Sequence, residues 1–486
     1  MRERAFWIVF FLGLMTLSLA ACGGGGAGTD GAVIDESGDT PDVPEEPPIT
    51  PPVEPSALDQ QLLQALEDRD VDTPQAPPIP ADALVALGKA LFFDKELSGN
   101  RNISCATCHH PTTGTGDDLS VSIGQGGSGL GSARLLGSGA LIPRNAPPLF
   151  NKGLPAFRTM FWDSRVSIGQ GGALNTPEPA LNGPRPTAGA IAQELTTALA
   201  AQAIFPLTSH AEMRGDPGEN ELADAADNLE VWTLIMDRLV GTDNGTQGGF
   251  AEYRALFQAA FPAVADIDGF HIGHVGAALG AYEDLAFRAL DSSFDRYLAG
   301  DLAAMTDEAK RGAVLFYGRA DCARCHGGPL QTDGRHHALA VPQVGPGREA
   351  NGDDLGRFAQ TGNPDDLYEF RTPSLRNVEL TGPWMHDGAY TTLGAAVRHY
   401  DNPVANLQQY DASQLSALMR PLVDVDPTRN QARADALSPI LRPSPDLDGN
   451  DVPDLVAFLR ALTDESSRDM AGEVPARVPS GLPVGD

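Results

Sequence analysis

Cys105-Ala106-Thr107-Cys108-His109 and, later in the chain, Cys322-Ala323-Arg324-Cys325-His326 decide most of what this protein can be. In an exported chain this pentapeptide is where haem is attached covalently. Its two thiols take up the vinyl groups as thioethers, and the histidine that follows becomes an axial iron ligand. Two copies predict two haems of the c type. A structural zinc site is the alternative for a pair of Cys-x-x-Cys motifs. It is disfavoured because both copies carry the trailing histidine and the N-terminus reads as an export signal.

Arg2 and Arg4 precede an apolar run from Ala5 to Leu19, too short and too early for a membrane span. The run ends in Leu19-Ala20-Ala21-Cys22, which resembles a bacterial lipobox. Residues 1–21 are therefore expected to be a signal peptide, with lipid on the Cys22 thiol as the membrane anchor. The five cysteines are then all assigned, one to lipid and four to haem, with none left for a disulfide. Residues 23–56 hold eight acidic and no basic side chains among glycines and prolines, so residues 22–56 read as a lipidated, disordered tether. These features place the protein in the periplasm or cell envelope. Gly23 after Cys22, where an Asp would mark inner-membrane retention, favours the outer membrane. The formal charge of −31 argues against a nucleic-acid partner and fits either a cationic partner or simply a solvated acidic surface.

Beyond the tether the periodicity is helical, for example Leu455, Val456, Phe458, Leu459 and Leu462, and period-2 runs are scarce. A weak internal repeat accompanies the two haem motifs. Gly88-Lys89-Ala90-Leu91-Phe92 precedes the first, and Gly312-Ala313-Val314-Leu315-Phe316 precedes the second. The expectation is a mainly α protein with an N-terminal haem domain over 57–296, a C-terminal haem domain over 297–465, and a flexible tail over 466–486. Asp446-Leu447-Asp448-Gly449-Asn450-Asp451 has the look of a calcium loop, but lacks the closing bidentate Glu and reads better as a helix cap.

Leu87-Gly88-Lys89-Ala90-Leu91-Phe92-Phe93-Asp94 leads into the first haem motif. Arg144-Asn145-Ala146-Pro147, Phe161-Trp162-Asp163, Ala281-Tyr282-Glu283, Thr372-Pro373-Ser374-Leu375-Arg376-Asn377-Val378 and Met385-His386-Asp387-Gly388 follow. In that order, over roughly residues 82 to 465, the chain resembles the bacterial di-haem cytochrome c peroxidases. This superfamily includes MauG, which shares the fold and oxidises a protein substrate. The resemblance implies two cytochrome c-like domains with long loops and a calcium ion between them. It also implies that the haem on His109 meets hydrogen peroxide and the haem on His326 handles electrons.

Carried over residue by residue, the peroxide site holds Gln202 and Glu212, with Pro206 and Met213 completing the pattern. A carboxylate suits that place, because splitting peroxide heterolytically moves a proton from one oxygen to the other. Trp162 takes the position between the two haems, where an indole can relay electrons. Asn145, Thr381 and Pro383 match the calcium site, whose hard oxygen donors suit that ion. The resemblance also brings an electron donor such as a small cytochrome c, and it allows a homodimer.

Two departures separate this chain from the peroxidases that need reductive activation. Their distal histidine sits in Ser-Ile-Gly-His-Gly, whereas here the stretch is Ser122-Ile123-Gly124-Gln125-Gly126. An amide is a poor ligand for ferric iron, so the first haem is expected to be open at rest, with His110 and His210 as the remaining candidate ligands. The methionine expected on the far side of the second haem is replaced by Tyr400, as in MauG-type enzymes, with Met385 as the rival and His399 and Met419 behind it. A phenolate stabilises oxidised iron where a thioether favours reduced iron. His336, His337 and His386 are expected to make structural hydrogen bonds. Forty residues separate Trp162 from Gln202, and 166–195 reads as an inserted surface loop. Together these readings predict a di-haem peroxidase. A MauG-type modification of a protein substrate and a non-catalytic electron carrier or peroxide sensor are the alternatives.

Overall fold

Two helix crossings, each made close by a glycine, organise the protein. In this computed structural model, residues 54–241 and 249–485 are described. The helices that build its two halves are α1 (Ala57–Glu67), α2 (Asp82–Phe93), α3 (Asn228–Val240), α4 (Ala251–Ala260), α5 (Ile272–Ala286), α6 (Asp307–Tyr317), α7 (Leu393–Asp401) and α8 (Asp451–Ala461). Where α2 crosses α5, a Cβ on Gly88 would stand 1.9 Å from the Ala278 carbonyl oxygen, so only glycine lets the backbones meet. Where α6 crosses α8, a Cβ on Gly312 would stand 1.9 Å from the Asp454 carbonyl oxygen. One turn on, Phe92 packs on Tyr282 and Phe316 on Phe458, with ring centroids 5.2 and 5.0 Å apart. The weak sequence repeat is thus one packing unit used twice, each time directly before a haem motif.

Each crossing sits in its own hydrophobic core. The larger core joins α2, α3, α4 and α5 around Phe92, Trp232, Phe257 and Tyr282. The smaller joins α6 and α8 around Phe294, Phe316 and Phe458. Strands are few and short. Thr159–Met160 (β1), Val166–Ile168 (β2) and Leu174–Asn175 (β3) form an antiparallel sheet in that order, with Met160 opposite Val166 and Ile168 opposite Leu174.

Three expected boundaries are corrected. Residues 57–67 do not belong to the N-terminal haem domain. The apolar stripe of α1 buries Leu62 and Leu66 in the C-terminal core, and its Asp59 pairs with Lys310 at 2.7 Å. Residues 466–485 are not a flexible tail. They return across the N-terminal half, with Val478 in the larger core, Glu473 on Lys89 at 2.9 Å, and the Ser480 hydroxyl donating to buried Asp94 at 2.7 Å. The inserted stretch 166–195 is not merely surface loop, because it supplies β2 and β3 and buries Leu174, Leu181 and Leu195. Asp451 in the calcium-like loop is held by Arg319, a cation where calcium would need an oxygen. The expected signal peptide, Cys22 and residues of the tether up to 53 lie outside the described residues. Among the described residues no helix is long and apolar enough to cross a membrane.

Candidate active site: two haem seats and the ground between them

The first motif forms a single helical turn, Cys105–Cys108, opened by a reciprocal cap between Ser104 and Thr107. His109 ends the turn, and its Nδ1 lies 3.0 Å from the Thr115 carbonyl oxygen. A carbonyl can only accept, so Nδ1 carries the proton and Nε2 is left bare for a metal. The Thr115 hydroxyl in turn accepts from the Leu149 amide at 2.8 Å, fixing this orienting loop. In the second motif His326 Nδ1 faces the Gln331 carbonyl at 3.4 Å, a longer version of the same contact. Burial pushes both imidazoles toward the neutral form that metal ligation requires, His326 to about 4.

A carboxylate whose charge is felt at Cys108 sits on an unusual piece of helix. His210–Arg214 winds as one π-helical turn and carries Glu212, a geometry often kept at functional sites. Burial raises the Glu212 carboxyl, while Arg165, Arg348 and a hydrogen bond from Ser209 pull it back. The glutamine loop is pressed onto this turn. Gln125 donates its backbone N–H to the Ala211 carbonyl at 3.1 Å and its side-chain Nε2 to the Met213 carbonyl at 2.6 Å, one on each side of Glu212. Gly124 has no room for a side chain, since a Cβ there would stand 1.8 Å from the Ala211 oxygen.

Gln202 ends the short helix Ala198–Gln202, half-buried, and among the described residues its side chain makes no hydrogen bond to Glu212. The partner joined to the Glu212 turn is therefore Gln125, which the reading from the chain treated only as a missing histidine. His110 and His210 are both occupied locally. His110 Nδ1 caps the turn at Thr112, and His210 Nδ1 donates to the Gly215 carbonyl at 2.6 Å.

His326, Cys322 and Cys325 line a cavity of about 360 Å³ that also takes in Trp162, Met385, His386 and Tyr400. Tyr400 stands on α7, and among the described residues its hydroxyl has no hydrogen-bond partner; burial raises it above the usual phenol range. Met385 shares the cavity, held at a left-handed φ of 77°. His399 does not compete, because Nε2 donates to the Leu339 carbonyl and Nδ1 accepts from the Tyr390 hydroxyl. Met419 lies in a separate apolar cluster around Val344 and Leu415. His336 bonds the Ser164 hydroxyl, His337 bonds Asp333, and His386 stacks on Phe370 with centroids 3.5 Å apart.

Between the two seats lies a buried charge network that the chain's motifs hinted at but did not spell out. Trp162 donates its indole N–H to the Asn145 carbonyl at 2.9 Å while its ring lines the second cavity. Asp163, fully buried, accepts from Arg144 (2.8 Å), Arg165 (3.2 Å) and Arg348 (2.6 Å). Arg144 also grips Asp354 with two bonds of 2.7 Å. Arg165 and Arg348 thus face Asp163 and Glu212 together, a role with no signal in the sequence beyond Arg165's place behind Phe161-Trp162-Asp163.

The haem fits these seats. Each motif offers two cysteines and an imidazole with a bare Nε2, and the second opens onto a cavity. For calcium, Asn145 donates Nδ2 to the Leu119 carbonyl at 2.8 Å and its own N–H to the His386 carbonyl at 2.9 Å. Among the described residues nothing donates to its Oδ1 or to the carbonyls of Thr381 and Pro383, so those three oxygens stand available.

Comparison with known proteins agrees with this architecture. A family model described as di-haem cytochrome c peroxidase matches residues 82–303. The methylamine utilization protein MauG of Methylorubrum extorquens (strain AM1) is 33% identical over 349 residues, covering 70% of this chain and 76% of that protein. The cytochrome-c peroxidase IdrP1 of Denitromonas iodatirespirans is 30% identical over 355 residues, 68% and 75% of the two chains. A solved MauG-like protein associated with microbial copper homeostasis superposes with a TM-score of 0.55 at 27% identity, over 82% of this chain and 95% of that one. The chain belongs to the di-haem cytochrome c peroxidase family. It is an oxidoreductase of that family, mainly helical, with two c-type haems as its cofactors.

Proposed function

We infer that this protein is a lipid-tethered peroxidase of the periplasm or cell envelope, whose N-terminal site accepts hydrogen peroxide without prior reduction. The haems supply the iron and the redox equivalents. Glu212 takes a proton from one oxygen of peroxide and returns it to the other as the O–O bond breaks. Arg165 and Arg348 oppose the burial of that carboxylate, which keeps its ionised form within reach as a base. Trp162 lies on the route between the seats, Tyr400 would be a second protein ligand for the iron held by His326, and Asn145, Thr381 and Pro383 would hold calcium. Electrons come from a small cytochrome c or from a side chain of a protein substrate.

The observation that carries this reading is Gln125. It occupies the loop where an axial histidine would close the site, and two hydrogen bonds tie it to the backbone of the Glu212 turn. The test is peroxide added to the fully oxidised protein. A rapid optical change and a high-spin ferric signal by EPR beforehand are expected. A purely low-spin resting spectrum with no response until one electron is supplied overturns it.

Tyr400 favours a MauG-type second reading, in which the oxidising equivalents are spent on a protein side chain. Rapid peroxide consumption with reduced cytochrome c supports the peroxidase. Long persistence of the oxidised state in the presence of that donor supports protein modification. Metabolic labelling with a fatty acid tests the anchor, since Cys22→Ser should abolish incorporation.

A further inference from the structure

The wall of the second cavity continues outward as a row of aromatic rings. Tyr400, which lines that cavity, has its ring centroid 6.1 Å from that of His399. His399 lies 5.3 Å from Tyr390, and Tyr390 lies 5.8 Å from half-buried Tyr410. Trp384, also on the cavity wall, is bonded to Tyr390 through the backbone in both directions, at 2.8 and 3.4 Å.

Within this row the Tyr390 hydroxyl donates to His399 Nδ1 at 2.7 Å. The far side of the imidazole fixes that direction, because Nε2 gives its proton to the Leu339 carbonyl at 2.8 Å. His399 is fully buried and Tyr390 is 5% exposed, so the bond is shielded from water. Of the eight tyrosines, Tyr390 is the one that donates to an imidazole. Tyr253, Tyr297 and Tyr368 donate to carboxylates instead. Tyr368 also lines the cavity, but Arg433 binds the same Asp353 and lies 5.5 Å from the centroid of the Tyr368 ring. A cation held there opposes the loss of an electron from that ring.

We propose that Tyr390 is a redox-active tyrosine, with His399 as the fixed acceptor of its proton, that yields one electron to the oxidised haem at His326. A phenol gives up an electron readily only when its proton leaves in the same step. The Tyr390–His399 bond lets that proton shift from Oη to Nδ1 without passing through solvent. One electron goes from Tyr390 to the haem and one proton from Tyr390 to His399, leaving a neutral phenoxyl radical beside an imidazolium. Hydrogen peroxide is the oxidant that sets this in motion, and an external one-electron donor restores the phenol as the proton returns. The inference rests on the peroxide reading for its oxidant, and not on which donor or protein substrate is served.

The test is EPR on the full-length, haem-loaded protein, frozen soon after peroxide is added to its oxidised form. A radical signal is expected that narrows with ring-deuterated tyrosine, disappears in Tyr390→Phe and persists in Tyr368→Phe. Pulsed EPR on protein grown with isotope-labelled histidine should show a histidine nitrogen coupled to the radical, a readout that needs no substitution. A hydrogen bond that is merely structural predicts no such radical. A signal that survives Tyr390→Phe, or no radical although the haem spectrum responds to peroxide, overturns the proposal and leaves the peroxide reading standing. If peroxide leaves the haem spectrum unchanged, the peroxide reading fails instead, and oxidation by a photogenerated ruthenium(III) complex decides the proposal. A tyrosyl signal lost in Tyr390→Phe then supports it, and a signal indifferent to that substitution, or none, overturns it.

Discussion

Replacing Glu212 by glutamine isolates the proton step from everything else the residue does. The amide keeps the shape of the side chain and the hydrogen bond from Ser209 but removes the base. General acid–base catalysis by one positioned group is worth about 10²–10⁴-fold, or about 2.7–5.4 kcal/mol of barrier. The π-turn that carries Glu212 is bonded to Gln125 on both sides and faces two arginines, so the carboxylate is held rather than mobile. The loss should therefore lie toward the upper part of that range. Stability should not suffer. Burial raises this carboxyl, so its ionised form is disfavoured by folding, and a neutral isostere removes a cost. Stopped-flow mixing with peroxide gives the second-order rate, and its pH profile carries the sign. In the wild type the rate rises with pH through the raised carboxyl value and then levels, because only the ionised form accepts a proton. Glu212→Gln should be slow and lack that rise. A wild-type rate with the same profile would refute the assignment.

Other expected outcomes follow from single contacts. Gly312→Ala drives a Cβ into the Asp454 carbonyl at 1.9 Å, and a backbone oxygen cannot swing aside as a side chain can. It should cost at least ~1–3 kcal/mol, read as a lowered Tm, and an unchanged melt refutes the close crossing. Tyr400→Met should raise the potential of the haem at His326, since a thioether favours reduced iron; an unchanged potential and spectrum rule out Tyr400 as its ligand. Truncation after Asp464 removes buried Val478 and two Ser480 hydrogen bonds to Asp94, which is itself fully buried. The expected loss is on the order of 3–6 kcal/mol, and a truncated chain that melts like the parent contradicts the docked tail.

What could be read from the chain was whatever is local and repeated. The two pentapeptides, the helical periodicity and the Gly-x-x-x-Phe repeat all act within a few residues, and the crossings at Gly88 and Gly312 are their direct expression. Gln125 was legible as a substitution but not as a partner of the Glu212 turn, because its bonds to Ala211 and Met213 join segments far apart in sequence. Asp163 was visible in a motif, yet nothing marked which of the 34 lysines and arginines would surround it. Arg348 follows Gly345-Pro346-Gly347, far along the chain from Asp163, and carries no local signal of that pairing. Tail and α1 were misassigned for one reason. Linear order suggests domain membership, but a short amphipathic segment packs wherever an apolar face remains uncovered.

The two halves trade parts in a way that bears on the chemistry. Ahead of the first half in sequence, α1 completes the core of the second, and residues 466–485, which follow the second, close over the first. A third exchange reaches the proposed peroxide site itself. Arg348 comes from the C-terminal half, yet it pairs with Asp163 and acts on Glu212 in the N-terminal half. A buried network of this kind is a poor source of net stability, because desolvation consumes most of the Coulombic gain. Its worth, on the proposed mechanism, lies in holding charges still around the carboxylate assigned to exchange a proton. The N-terminal segment alone would retain Cys105, Cys108, His109 and Glu212 while losing Arg348 and the docked tail. It would keep the haem ligand and lose part of what surrounds the proposed base, so the proposed peroxide site is built by the pair of halves rather than by either one.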